Sequence, residues 1–242
     1  MELTPLYTGE NVKAAYQLLY SLTVYWQESP GGDAWLAELS SQCEVDGIRI
    51  LEHCFSDVVT SRFLISALPR VRPVDVPARV KGRLQHLLKH RVRRPFRRNY
   101  DLTSVGSTQG EKVENYVAAQ VEHHSDGGLH VPEEFADLQW IDPEVDLFRP
   151  RFTAHGRCLC NLHVVLVHRE RAEISDDSVW IPVRDMIRRW AARKEHLLSR
   201  AGILPDHLHL TLGWKPQVSP IDLATSLMNN LAWVHGMKDV YM

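Results

Sequence analysis

Residues 203–231, ILPDHLHLTLGWKPQVSPIDLATSLMNNL, read as a strand, a turn and a helix. In the strand HLHLTLGW (207–214) side chains alternate between faces, so His207 and His209 point together and Leu208 and Leu210 point away. Pro205 and Asp206 place a turn before the strand, and Ser219 is positioned to cap a helix over residues 219–236. The same unit recurs earlier in the chain. RFLISALPRVRPVDV (62–76) aligns without gaps on HLTLGWKPQVSPIDL (209–223) at an offset of 147 residues. Pro69 then meets Pro216, Val71 meets Val218, Pro73 meets Pro220 and Asp75 meets Asp222. Such self-similarity implies an internal repeat. Thr60 and Arg62 stand where the second copy has His207 and His209.

Working outward from these units, residues 14–26, 48–55, 62–68 and 100–105 read as strands. A short helix over 34–43 is expected with Asp33 as its cap. Residues 75–90 have helical spacing, with Val76, Val80, Leu84, Leu87 and Leu88 on one side. EKVENYVAAQVEHH (111–124) is a further helix opened by Gly110. GRCLCNLHVVLVHR (156–169) reads as one long strand with Cys158 and Cys160 on one buried face, and a helix is expected within 179–198.

The chain has 242 residues and a formal net charge of −2, unevenly spread. Residues 70–98 hold eleven Lys or Arg against one acid, Asp75, whereas 125–147 hold seven acids and no Lys or Arg. A basic block would attract phosphates, and the acidic segment reads as a linker. The expected organisation is a half over 1–124, a linker over 125–148 and a second half over 149–242. Four cysteines are too few for a disulfide framework. No apolar run approaches the roughly 18 residues of a membrane span, and the start lacks the pattern of a signal peptide, so a cytoplasmic address is expected.

Two neutral imidazoles at i and i+2 of a strand can hold one divalent metal, although a lone His-x-His is a weak signal. Its flanks sharpen it. Residues 203–231 resemble the stretch around the metal-binding histidines of single-tyrosine transposases of the HUH endonuclease superfamily, of which the REP-associated tyrosine transposases are close relatives. SALPRVRPVDVPARVKGRLQHLL (66–88) resembles the segment after those histidines, and FRRNYDLTSVG (96–106) with ENYVAAQ (114–120) resembles the last strand and the tyrosine helix. The likeness covers about residues 10–124 and 150–242.

That resemblance implies an α+β fold of two ferredoxin-like halves, each an antiparallel sheet with helices on one face. It implies Tyr116 as nucleophile and His207, His209 and Gln120 as ligands of Mg²⁺ or Mn²⁺; Tyr116 and Gln120 are helix neighbours at i and i+4. Single-stranded DNA with a hairpin is the implied partner, its backbone held by Arg79, Lys81, Arg83, Arg91, Arg93 and Arg94. The first half lacks the histidines, and the second half reaches Met242 before any counterpart of the tyrosine helix. Since members of the family share sites between two subunits, a fused, monomeric pseudo-dimer with one composite site is expected. The alternatives are a catalytically inactive DNA-binding relative, a phosphoesterase built on His-x-Thr motifs, and a protein whose histidines are merely satisfied in its core.

Overall fold

A computed structural model of the chain describes residues 4–12, 18–120, 135–174 and 177–241. The expected helix beyond Gln120, with Val121, and the linker over 125–134 lie outside the described residues. The protein is α+β. Its first part runs β1 (Leu18–Trp26), α1 (Leu36–Val45), β2 (Ile48–Asp57), β3 (Thr60–Ala67), α2 (Asp75–Leu88) and β4 (Phe96–Val105). These strands lie in the order β2-β3-β1-β4 and pair antiparallel, the ferredoxin-like arrangement. Alternation explains the layering. Tyr20, Leu22, Val24 and Trp26 of β1 are all buried, with Phe63 and Ile65 of β3 beside them. Helix α2 adds Val76, Val80, Leu84 and Leu88, spaced by four so that they share one stripe. Helix α1 starts at Leu36 behind Trp35 with no side-chain cap; Asp33 contributes only its carbonyl, which accepts the Leu36 N–H at 2.7 Å.

The chain continues through α3 (Gly110–Ala118) and the short strands β5 (Trp140–Ile141) and β6 (Arg151–Phe152). Then come β7 (Gly156–Leu159), β8 (Asn161–Val167), α4 (Trp180–Lys194), β9 (Leu197–Ile203), β10 (His207–Gly213) and α5 (Pro220–Val234). A second sheet has the order β5-β9-β10-β8. Strands β9-β10-β8 repeat the order β2-β3-β1 of the first sheet, and β3 and β10 begin at positions related by the 147-residue offset. Ser219 caps α5, its hydroxyl accepting from the Asp222 N–H.

Three expectations need correction. The single long strand over 156–169 is two strands divided at Cys160. Strand β7 pairs parallel with β4 in the first sheet and β8 pairs with β10 in the second, so a change of partner sheet splits a continuous apolar run. The helix expected within 179–198 forms over Trp180–Lys194, but IRRWAARKEHLL (187–198) is not its heart: the helix stops at Lys194, where Glu195 takes a left-handed φ of 58°, and β9 follows from Leu197. The acidic stretch is also part of the packing over its described residues. Phe135, Leu138 and Leu147 are buried, and β5 forms the edge of the second sheet against β9.

The two repeated turns meet. The Val74 N–H donates to the Pro216 carbonyl at 3.1 Å, and the Ile221 N–H donates to the Pro69 carbonyl at 3.0 Å. The offset of 147 residues maps each of these bonds onto the other.

Candidate functional site

Strand β10 lies in the interior of the second sheet, between β8 and β9, and all seven of its residues are buried. Leu208, Leu210 and Leu212 belong to the apolar core, which also holds Ile187 of α4 and Leu227 and Leu231 of α5. The alternation then forces His207, His209 and Thr211 onto the opposite face. That face is covered by α3, which follows β4 of the first sheet and packs on β9 and β10 of the second. In consequence Tyr116 and His209, far apart in sequence, have ring centroids 5.7 Å apart, set edge to face at 82°. The His207 and His209 rings are 4.9 Å apart.

Helix α3 is held down at two points. The Glu114 carboxylate accepts from the Ser199 hydroxyl and lies 3.5 Å from Arg200 Nη1, both on β9. Farther along, Gly202 gives the helix room. A Cβ at that position would come within 3.0 Å of Gln120 Cγ and 3.2 Å of the Val117 carbonyl oxygen. Gly202 pairs with His209 in the sheet, so Gln120 lies over the strand position beside that histidine. Gln120 is fully buried. Its Nε2 donates to the Tyr116 carbonyl at 3.1 Å, and its Oε1 has no hydrogen-bond partner among the described residues. Tyr116 keeps 40% of its surface exposed, so its ring is open to solvent.

The imidazoles have partners of their own. His207 Nδ1 is hydrogen-bonded to Asp206 Oδ1, and Asp206 also accepts from Arg171 at 3.2 Å. Burial alone would raise the Asp206 carboxyl, but its bonds to His207 and Arg171 hold it below the usual carboxylate range. His209 Nδ1 lies 2.9 Å from His163 Nε2, with the two rings stacked at 5.1 Å. His163 was not singled out from sequence. It sits on β8, and its partner there, Thr211, shows that it shares the face of the His pair. The signal existed in NLHVVLV (161–167), where His163 alternates with Leu162 and Val164, but the register that brings it to His209 is set between strands.

The predicted basic contacts divide. Arg83 donates to Asp46 at 2.5 Å and Arg79 lies 4.0 Å from the same carboxylate. Lys81 Nζ donates to the carbonyls of Arg97, Arg98 and Asn99, and burial lowers its pKa to about 8. Arg91, Arg93 and Arg94 are exposed and make no ion pair among the described residues. They precede β4, whose other end leads into α3; the ten residues between span roughly 30 Å at 3.3 Å each. The structure therefore brings Tyr116, Gln120, His207 and His209 together and sets the arginine cluster apart from them.

Residues 157–236 match the family of IS200-like transposases. The transposase-like region takes in β8, α4, β9, β10 and α5, hence His207, His209 and His163, and it stops short of Tyr116 and Gln120 on α3. The similarity supports a DNA-processing enzyme with DNA as its partner. No curated protein matches the chain. Among the described residues no helix is long and apolar enough to cross a membrane.

Chemically, the site offers a phenol, two imidazoles and a buried amide oxygen. Among the described residues no three His, Cys, Asp or Glu side chains are grouped to hold a metal. A mixed set of two imidazoles and one amide still fits a divalent cation of intermediate hardness. The buried Gln120 Oε1, without a partner among the described residues, is the observation that favours it, because such an acceptor is costly to leave unmatched.

Proposed function

We propose that the protein is a transposase-type enzyme that cuts and rejoins single-stranded DNA through Tyr116. The proximity of the Tyr116 and His209 rings, 5.7 Å between centroids, carries the reading. The Tyr116 oxygen attacks the phosphorus of a backbone phosphate and gives its proton to water, the bond from phosphorus to the 3′ oxygen breaks, and that oxygen takes up a proton from water. The products are a 5′-phosphotyrosine and a 3′ hydroxyl, which can reverse the step on another strand. The bond energy is kept in the intermediate, so no nucleotide cofactor is needed.

His207, His209 and Gln120 would hold Mg²⁺ or Mn²⁺, which would supply charge stabilisation at a non-bridging phosphate oxygen. The neighbours prepare both imidazoles for that role. Asp206 accepts the Nδ1 proton of His207 and leaves the lone pair on Nε2. His163 does the same for His209 when its Nε2 acts as acceptor. Arg91, Arg93 and Arg94 would hold the DNA backbone at a distance from the cut, and a hairpin is the form of DNA that the family suggests.

We also read the chain as a monomeric pseudo-dimer. The reciprocal bonds Val74 to Pro216 and Ile221 to Pro69 support it, since mutual contacts of this kind mark an interface between two-fold mates. With Thr60 and Arg62 in place of histidines, one composite site remains.

The test is incubation of the chain with randomised single-stranded 40-mers and Mn²⁺, followed by denaturing electrophoresis. A covalent protein–DNA adduct is expected in the natural protein and none in Tyr116→Phe. No adduct, or an adduct that persists in Tyr116→Phe, overturns the reading and leaves a DNA-binding protein.

A further inference from the structure

Beside α3, where the two sheets meet, lies a cavity of about 300 Å³. Its lining joins both parts of the chain: Tyr20 of β1, Val113 of α3, Phe148, Asn161 and His163, and Thr211 of β10. The size is at the lower end of small-ligand sites, roughly 300–1,000 Å³.

Two of the lining residues are poorly satisfied as they stand. Tyr20 is 0% and Thr211 3% exposed, and neither hydroxyl has a hydrogen-bond partner among the described residues. Buried hydroxyls are almost always matched, so a cavity bordered by two unmatched ones suits a ligand that brings its own donors or acceptors. Among the described residues no Lys or Arg lines the cavity, and the one carboxylate there, Glu114, is already engaged by Ser199 and Arg200. A phosphate would find no cation there to balance its charge. What fits is a neutral group with apolar faces and a polar edge, and a nucleobase has that chemistry. The location agrees: His163 lines the cavity, touches His209 at 2.9 Å and has its ring 6.4 Å from that of Tyr116.

We propose that this cavity receives one unpaired base of single-stranded DNA, the base adjoining the phosphate presented to Tyr116. The inference rests on the strand-cutting reading above. Phe148 and Val113 meet the flat faces of the base, and the Tyr20 and Thr211 hydroxyls meet its edge. The protein thereby selects the nucleotide at the cut, at small unstacking cost because the strand is already single.

The experiment uses the full chain with the 12-mers dA12, dC12 and dT12, comparing the natural protein with Tyr20→Phe and Thr211→Val. One oligomer is expected to bind best. Each variant weakens that oligomer about five-fold, the worth of one neutral hydrogen bond, and flattens the preference. Neither variant unfolds earlier than the natural protein, because the hydroxyl removed has no partner among the described residues. A dT12 analogue carrying 4-thiothymidine, irradiated on the Tyr116→Phe protein, attaches to the segments containing Phe148 or Asn161 and His163. Unchanged affinities and preference in both variants, or attachment only elsewhere, overturn the base site. If an adduct at Tyr116 still forms, the strand-cutting reading survives that result. Failure of all three oligomers to bind overturns both.

Discussion

His196 and His207 are almost equally buried, at 6% and 5% exposed, yet their surroundings differ in sign. His207 faces the Asp206 carboxylate. His196 packs against Trp190, with ring centroids 5.0 Å apart, and has Arg151, Lys215 and Lys194 as its charged neighbours. Burial first, and those cations second, lower its pKa from 6.5 to about 4. Between those values the unfolded chain takes up a proton that the folded chain refuses. The stability that neutral His196 provides is therefore complete above pH 6.5 and is lost as pH falls toward 4. At pH 5 the loss is about 2 kcal/mol, from about 1.4 kcal/mol per pH unit. Urea unfolding at pH 7 and pH 5 should show His196→Phe recovering about that much of the acid-induced drop; an unchanged drop would mean that His196 is protonated in the fold. Thirteen histidines stand in the sequence, and burial alone does not separate these two. The His-x-His spacing singled out His207 and His209, whereas the approach of His163 to His209 and of Arg151 and Lys215 to His196 is set by strand pairing and by distant parts of the chain.

The contact between α3 and the second sheet is the element on which the candidate site depends. Gly202 lets Gln120 and the Val117 carbonyl approach β9 closely, and Glu114 fastens the helix to Ser199 and Arg200. A single methyl should be felt there. Gly202→Ala is expected to push α3 away, destabilise the fold by roughly 1–3 kcal/mol and cut the yield of covalent adduct at least ten-fold. Denaturant titration and the electrophoretic assay measure the two effects, and full adduct yield with unchanged stability would show that the helix does not need this fit. Much of the element list was legible. The β1 alternation, the four-residue spacing in α2 and the Ser219 cap are local codes, and each element formed where its code stands. Strand β9 was not legible. LLSRAGI (197–203) is buried or half-buried throughout, so no polar alternation marks it, and the helix-favouring ARKEH before it blurs its start. The break at Cys160 was hidden for a related reason, since β7 and β8 are both apolar and differ only in the sheet that each joins. The basic block likewise overstated its free charge. Asp46 and the carbonyls of residues 97–99 reach Arg83 and Lys81 from outside their helix.

At the scale of the whole molecule, the open question is whether the phenol and the imidazoles that meet belong to one chain. The described contacts are all made within one polypeptide: α3 follows β4 and reaches the second sheet of the same chain, and the reciprocal turn bonds join residues of the same chain. A fused pair has a consequence that separate subunits lack. When two subunits share a site, a variant without the nucleophile and a variant without the ligands can rescue each other, because mixing assembles some intact sites. A site closed within one chain permits no such exchange. We therefore expect that Tyr116→Phe mixed with His207→Ala/His209→Ala gives no covalent DNA adduct at any ratio, while the natural protein gives no more than one adduct per chain. Size-exclusion chromatography with light scattering should find the natural chain at its sequence mass of 27.8 kDa. Recovery of adduct in the mixture, in proportion to the fraction of mixed pairs, would show that the working site is built between two chains. The 5.7 Å approach of Tyr116 to His209 would then describe an arrangement that a second copy displaces.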